Sequence, residues 1–335
     1  MNVLAARPTL FALACAGAAS VLVALAVGSV VVPLADVWDA LHGDRSSALA
    51  AIVLELRLPR ALTAFAVGGL LALSGALLQG LLRNPLADPY VLGVSGGAAV
   101  AALTALALGA GVVGMQIASA AGALLTLAAL FVLARRALSA RAVFADDDDA
   151  TSSVLLTGVM IAALAAAALA LLLALAPEGR LRTMVFWLLG DLGAANDLAA
   201  ALVALAVLAI LLPVAFAFAR PLNLMLRGDV AAFAQGVDVE RVRRRLLIVA
   251  ALATGVAVTL SGAVGFVGFV APHLTRALAG NDQRVLLPAA ALTGGSLVVL
   301  ADTVARSIVA PLQLPVGVLT ALLGVPVFLW LLQRR

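Results

Sequence analysis

Arg57-Leu-Pro-Arg60, the apolar small-residue run Ala61 to Leu82, Arg83-Asn-Pro-Leu-Ala-Asp-Pro89 and Tyr90-Val-Leu-Gly-Val-Ser-Gly-Gly97 form one continuous stretch. Its reading decides the fold. Charged clamps flank one membrane-length helix, and a proline-broken polar hairpin feeds straight into the next apolar run. Such an arrangement suits a transport pathway better than a passive anchor.

The rest of the chain follows the same chemistry. Its 335 residues are 64% hydrophobic and only 11% charged, with a mean hydropathy of +1.18. Soluble domains carry about 45–50% apolar and about 25% charged residues, so the bilayer must be the solvent. A transmembrane helix needs about 20 consecutive apolar residues, and the chain offers about ten such windows. They lie near 9–32, 61–82, 91–109, 115–134, 153–175, 194–214, 243–262, 263–279, 285–305 and 314–332, the break between the seventh and eighth resting only on Gly262 to Gly268. The expectation is an all-α polytopic membrane protein forming a single transmembrane domain over residues 1–335.

All 21 basic residues are arginine. A phosphate-binding P-loop needs a lysine to reach the β- and γ-phosphates, and no soluble nucleotide-binding domain is left over. ATP, if used, is bound by another subunit. Cys15 lies inside the first apolar span and has no second cysteine to pair with. That span is too long for a signal-peptide core, so a retained first helix is expected.

Cytoplasmic loops concentrate arginine and lysine. With the N-terminus inside, ten spans bring the C-terminus back inside. Only Arg45, Arg57, Arg60, Arg180, Arg182 and Arg306 then fall outside, and the other arginines face the cytoplasm. Asp146 to Asp149 follow the fourth span; four adjacent acids repel one another and stay solvated, and no turn glycine shapes them into a calcium loop. The longest inner connection, about 215–242, contains Arg220, Arg227-Gly-Asp229, Val230 to Gln235 and Gly236. Asp229 can cap a short helix and Gly236 can end it, so two short surface helices that dock a partner are expected.

These residues resemble the FecCD-type permease subunits of bacterial ABC importers for iron complexes and vitamin B12. The quoted stretch matches, as do Gly265-Phe-Val-Gly-Phe-Val-Ala-Pro-His273 and Leu300-Ala-Asp-Thr-Val-Ala-Arg306. Leu314-Pro-Val-Gly-Val-Leu-Thr-Ala321 and Gly324-Val-Pro-Val-Phe-Leu-Trp330 complete the series, in order from about residue 50 to the end. The resemblance implies the transmembrane domain of a type II ABC importer, with ten helices per subunit in the bacterial inner membrane. It implies a homodimer around a central path, two cytoplasmic ABC ATPases carrying the ATP and magnesium, and a periplasmic substrate-binding protein. This chain would itself bind no cofactor or metal and catalyse nothing; its other contact is membrane lipid, and no nucleic acid is expected.

Residue roles carry over from the same resemblance. Arg57, Arg60 and Arg306 match outer arginines that engage acids on the binding protein, a contact that suits the bidentate guanidinium. Gly228, Asp229, Gly236 and Val237 match the segment that couples to the ATPase, although Val230 stands where an acid is common and Gln235 where a small polar residue is usual. Asn84, Pro85 and Leu86, with Thr151 and Ser152, match the cytoplasmic gate. Arg180 and Arg182, in the outer connection that also holds Trp187, resemble a stretch of haem and cobalamin permeases, and could meet haem propionates or serve docking. Gln313 replaces the acid that usually precedes Leu-Pro-Val-Gly. The crowded glycines and alanines, and His273, read as packing. The substrate is expected to be haem, a ferric siderophore or cobalamin, with haem favoured.

Two other classes compete. An ion-gradient secondary transporter places ionisable residues near the membrane midplane, and these spans have almost none. An intramembrane enzyme needs paired acids or a nucleophile with its base, and neither motif falls within a span.

Overall fold

The computed structural model describes residues 7–43, 47–135, 147–193, 195 and 197–333, with the side chains of 147–152 and 327–333 left aside. Asp146, Arg45, Arg136, Arg141, Arg334 and Arg335 lie outside the described residues, as do the side chains of Asp147, Asp148 and Asp149. Every regular element among the described residues is helical: α1 (Arg7–Ala26), α2 (Leu34–His42), α3 (Ala48–Ala51), α4 (Leu58–Leu81), α5 (Val94–Ala107), α6 (Val112–Leu133), α7 (Asp147–Ala174), α8 (Glu178–Leu188), α9 (Leu198–Ala217), α10 (Ala219–Met225), α11 (Asp229–Ala234), α12 (Val239–Ser261), α13 (Val267–Ala279), α14 (Gln283–Ala305) and α15 (Val316–Gln333). A π-helical turn, Ile52–Arg57, joins α3 to α4, and a 3-10 turn, Pro89–Leu92, precedes α5.

The ten expected spans correspond to α1, α4, α5, α6, α7, α9, α12, α13, α14 and α15. Seven segments are long and apolar enough to cross a bilayer by themselves. The first expected span, 9–32, runs too far: α1 stops at Ala26, and a separate short helix, α2, follows. Val27 to Val32 remain apolar, so hydropathy alone had extended the window past the helix end.

The helix that opened the sequence reading occupies the centre. Its membrane window is 89% buried, against 17–28% for those of α1, α6, α7 and α9. It packs against α14, α12, α9 and α13. Small residues make this density attainable, because lipid offers no hydrophobic drive between helices and close backbone approach must supply the contact. A Cβ on Gly75 would fall on the Gly268 carbonyl oxygen of α13, and one on Gly68 would fall on that of Gly294 in α14. Ser74 ties α4 to α12 through the Ala250 carbonyl and Thr254 Oγ1, both at 2.8 Å.

Two spans are too short for the bilayer. α5 has 14 residues and α13 has 13, against the roughly 20 a crossing requires. Each is completed by irregular backbone folded into the protein: the 3-10 turn before α5, and residues 262–266 before α13. The two broken regions meet, since Gly268 lies against Pro89 and against the Leu71 carbonyl of α4. Leu71 is ten residues from the end of α4 at Leu81, roughly 15 Å along a helix. The hairpin after α4 therefore re-enters the bundle, which is tolerated only where protein buries the backbone.

Candidate functional site

Three clusters carry the functional expectations, and each is assembled from separate stretches of chain. At one end of the bundle stand Arg57, Arg60 and Arg306, the residues expected to reach outward. They do come together, but their side chains turn inward and are only 4%, 7% and 8% exposed. Arg60 grips Asp302 of α14 with a forked guanidinium (Nη2 to Oδ1 2.8 Å, Nε to Oδ2 2.9 Å). Arg57 donates to the Leu25 carbonyl at 2.6 Å and to that of Val30, and Arg306 donates to the carbonyl of Ala24. The last carbonyls of α1 have no partner within their own helix, and cations favour a helix C-terminus. The arginines thus anchor α1, which the sequence reading had not foreseen.

The cluster is not sealed. Arg57, Arg60, Arg306, Gln313, Ser29 and Gly193 line a cavity of about 260 Å³. Gln313 finds its explanation here, since its Oε1 accepts from Arg60 Nη1 at 2.7 Å. An amide supplies the acceptor without the charge an acid would bring. Asp302 is then the one carboxylate among these three guanidiniums within the described residues, so the cavity keeps a positive excess. Asp302 was legible: an acid one turn before Arg306 inside an apolar span needs a buried partner.

The second cluster is the re-entrant hairpin. Asn84 Oδ1 accepts from the Leu86 amide at 2.9 Å, closing a tight turn whose tip exposes Leu86. Asp88 closes the next turn by accepting from the Tyr90 amide at 2.9 Å, and Gly93 ends it at φ +74°, where a side chain would be strained. Gln79 of α4 holds the hairpin in place. Its Nε2 lies 3.3 Å from both the Ala87 and Gly268 carbonyls, and its Oε1 accepts from Arg276 Nη1 at 2.6 Å. Sequence reasoning missed Gln79, although a lone amide in a polar-poor span is a signal for buried backbone to satisfy. Thr151 and Ser152 fall in the first turns of α7, and their side chains lie outside the described ones.

The third cluster sits at the opposite end from Arg57. Two short helices, α10 and α11, form as expected. Asp229 is not the cap: Gly228, at φ +115°, takes that position. Asp229 instead is 1% exposed and paired with Arg243 of α12 and with Arg83 of the hairpin, the latter at 3.4 Å. Gly236, at φ +83°, stops α11, and the Val237 amide returns to the Ala232 carbonyl at 3.1 Å, a common helix termination. Val237 packs inward, while Val230 and Phe233 stand 55% and 50% exposed. The glycines and Asp229 therefore shape the segment, and the surface it presents belongs to Val230 and Phe233. Asp229 links that surface to the hairpin through one side chain.

Arg180 and Arg182 lie on α8, a helix where the sequence reading had only a connection. Arg180 donates to the Ala107 and Leu106 carbonyls at 2.6 and 3.3 Å, closing the C-terminus of α5. Arg182 stacks over Phe186, 5.4 Å from the ring centre. Beyond α8 the chain folds against the second break, with the Asp191 amide donating to the Ser261 carbonyl at 2.8 Å. Trp187 is buried beside Gly262.

A helical bundle with two broken spans, a buried arginine cluster at one end and a short exposed helix at the other defines a membrane permease. The chain belongs to the FecCD transport family, whose model matches residues 16–334. It is 43% identical to the cobalamin import system permease protein BtuC of Halobacterium salinarum over 85% of this chain and 74% of that protein. It is 40% identical to the hemin transport system permease protein HmuU of Yersinia pestis, over 92% and 90% respectively. Among solved structures, a metal-chelate-type ABC transporter in an inward-facing conformation superposes with a TM-score of 0.83 at 28% identity, covering 98% of this chain and all of that one. PsaBC from Streptococcus pneumoniae, at 17% identity and a TM-score of 0.56, shares the fold. The protein is a permease subunit of an ABC importer.

Proposed function

We propose that two copies of this chain form the path of an importer for a metal-centred macrocycle, haem or cobalamin, powered by a separate ATPase that docks on α11. The observation that carries the reading is Asp229, which ties the exposed α11 surface to Arg83 of the re-entrant hairpin. A displacement of α11 would be passed to the hairpin and so to α5. Asn84, Pro85, Leu86, Thr151 and Ser152 would close the path at that end. Both termini and α11 face the cytoplasm in this reading, and ATP and magnesium stay on the partner.

The relatives' cobalamin and hemin specificities support the substrate class. Arg180 closes the C-terminus of α5, so within that stretch only Arg182 is left to meet haem propionates. Uptake of hemin and of cyanocobalamin into proteoliposomes containing the permease, its ATPase and its binding protein separates the two. ATP-dependent uptake of neither would overturn the macrocycle reading, and uptake without ATP would return the chain to the gradient-driven class.

On the α11 surface, Phe233→Ser is expected to weaken ATPase binding about tenfold or more, as loss of a central aromatic anchor does. Phe233 is half exposed, and an unchanged melting temperature would assign the loss to the contact and not to the fold. Co-purification at matched expression reads the effect, and wild-type recovery of the ATPase would remove α11 as the contact.

At the other end, the cavity lined by Arg57, Arg60 and Arg306 would receive an acidic side chain of the binding protein. Arg57→Glu with Arg60→Glu is expected to weaken that association, most at low ionic strength where steering is strongest. Both substitutions also loosen α1 and oppose Asp302, so the wild-type salt titration is the independent readout. Affinity that does not change between low and high salt would exclude an arginine-led contact.

A further inference from the structure

We infer that the cleft between α6 and α9 is a binding site for one acyl chain of a phospholipid whose headgroup carries a primary ammonium. Both helices pack against α12 and hardly touch one another, so α12 forms the floor of a groove of about 530 Å³. Its walls open sideways to the bilayer: Leu124 of α6 and Val203 of α9 are 54% and 61% exposed. No described residue of the re-entrant hairpin, α10, α11 or α13 lines it. The groove therefore lies apart from the path and from the coupling segment.

The lining is polar at one end only. Gln116 lies in the second turn of α6, Thr259 in the last turn of α12, and Asp197 caps the start of α9; the other lining residues are alanine, glycine, leucine and valine. Thr259 donates to Ser119 Oγ at 3.2 Å, fastening α12 to α6 at this polar end. Asp197 is exposed and accepts from the Ala199 amide through Oδ1 at 2.9 Å. A carboxylate has about four acceptor positions, so the cap leaves most of them for a ligand. From Gln116 the lining continues down α6 to Leu127, roughly 16 Å at the helical rise. Half of the hydrocarbon core is about 15 Å, so the groove runs the depth of one leaflet.

A phospholipid of this kind answers each feature. Its chain matches the apolar length, and its head falls at the level of Asp197, Gln116 and Thr259. A primary ammonium donates charge-assisted hydrogen bonds to a carboxylate, whereas a trimethylammonium has no N–H to give. An anionic headgroup would meet Asp197 as a like charge. Gln116 supplies amide donors for the ester or phosphate oxygens. A bound chain would bridge α6 to α9, two helices that otherwise share only their floor.

The test is native mass spectrometry of the full-length permease in detergent with equal amounts of phosphatidylethanolamine, phosphatidylcholine and phosphatidylglycerol. Phosphatidylethanolamine is expected to remain bound in clear preference. Asp197→Asn should weaken it about tenfold, the loss of one charge-assisted hydrogen bond, while asparagine still caps α9. Ala120→Phe places a ring in the groove from an exposed position of α6 and should remove the bound lipid. Equal retention of the three lipids, undiminished preference in Asp197→Asn, or retention on a monodisperse Ala120→Phe protein overturns the inference. Dissociation of the permease dimer by Ala120→Phe would give the groove to a second copy instead. Release of the lipid when the binding protein docks would assign Asp197 to that contact.

Discussion

Asp229→Ala is expected to abolish ATP-driven transport and to lower the stability of the permease by about 3–5 kcal/mol, the cost of removing one partner from a buried ion pair. The carboxylate is the counter-charge of Arg243, whose side chain is 7% exposed, and it also meets Arg83. Without it, the Arg243 charge stays buried in the root of α12 unpaired. Asp229→Asn keeps the shape and removes the charge, so it should fall between alanine and wild type. Arg83→Gln separates stability from coupling. It leaves the Asp229–Arg243 pair intact and removes the guanidinium through which Asp229 meets the hairpin, with melting in detergent reading any cost to the fold. The expected outcome is a folded, ATPase-binding permease with impaired transport. If Arg83→Gln transports at the wild-type rate, coupling does not run through Asp229.

Gly75→Val should prevent stable folding altogether. A Cβ there would occupy the position of the Gly268 carbonyl oxygen, so α4 and α13 must separate before any side chain fits. Overpacking a tight core costs about 1–3 kcal/mol when neighbouring side chains can shift; here the obstacle is backbone at the centre of the bundle, and the loss should exceed that range. Gly75→Ala is expected to show the same defect in milder form. Gly43→Ala and Gly179→Ala meet nothing within 4 Å and should stay within about 0.5 kcal/mol of wild type. Monodispersity and melting in detergent distinguish these outcomes. A monodisperse Gly75→Val protein with an unchanged melting temperature would refute the close contact of α4 with α13.

Much of the site was legible as position and little of it as orientation. Arg57, Arg60 and Arg306 were recognised as outliers of the charge distribution, and the structure gathers them around one cavity. Their inward turn was hidden, because it depends on where α1 ends and on the facing position of Asp302, 242 residues from Arg60. The Gly228 to Val237 segment was found from its glycines. Its exposed surface was not, since Val230 looked like a departure and Phe233 drew no notice. Asp229 was read locally as a cap, whereas its partners come from α12 and from the hairpin. Local hydrogen-bonding logic cannot anticipate two guanidiniums brought in by packing.

Hydropathy by itself determined the membrane class and the approximate number and order of the spans; prolines marked the irregular segment at Asn84–Pro89, and glycines alone suggested a break over Gly262 to Gly268. A bilayer demands long apolar runs and leaves polar breaks conspicuous. Which helix lies at the centre was settled only by the tertiary structure. In water an apolar stripe marks the buried face of a helix. In lipid both the interior and the surroundings are apolar, so hydropathy does not separate the buried α4 from the exposed α9, since both segments are long and apolar enough to cross a bilayer. Burial of α4 follows from glycines meeting carbonyls of α13 and α14, and the arginine and aspartate pairings follow from that packing. Both are properties of the assembled bundle, fixed by shape complementarity that no single segment contains.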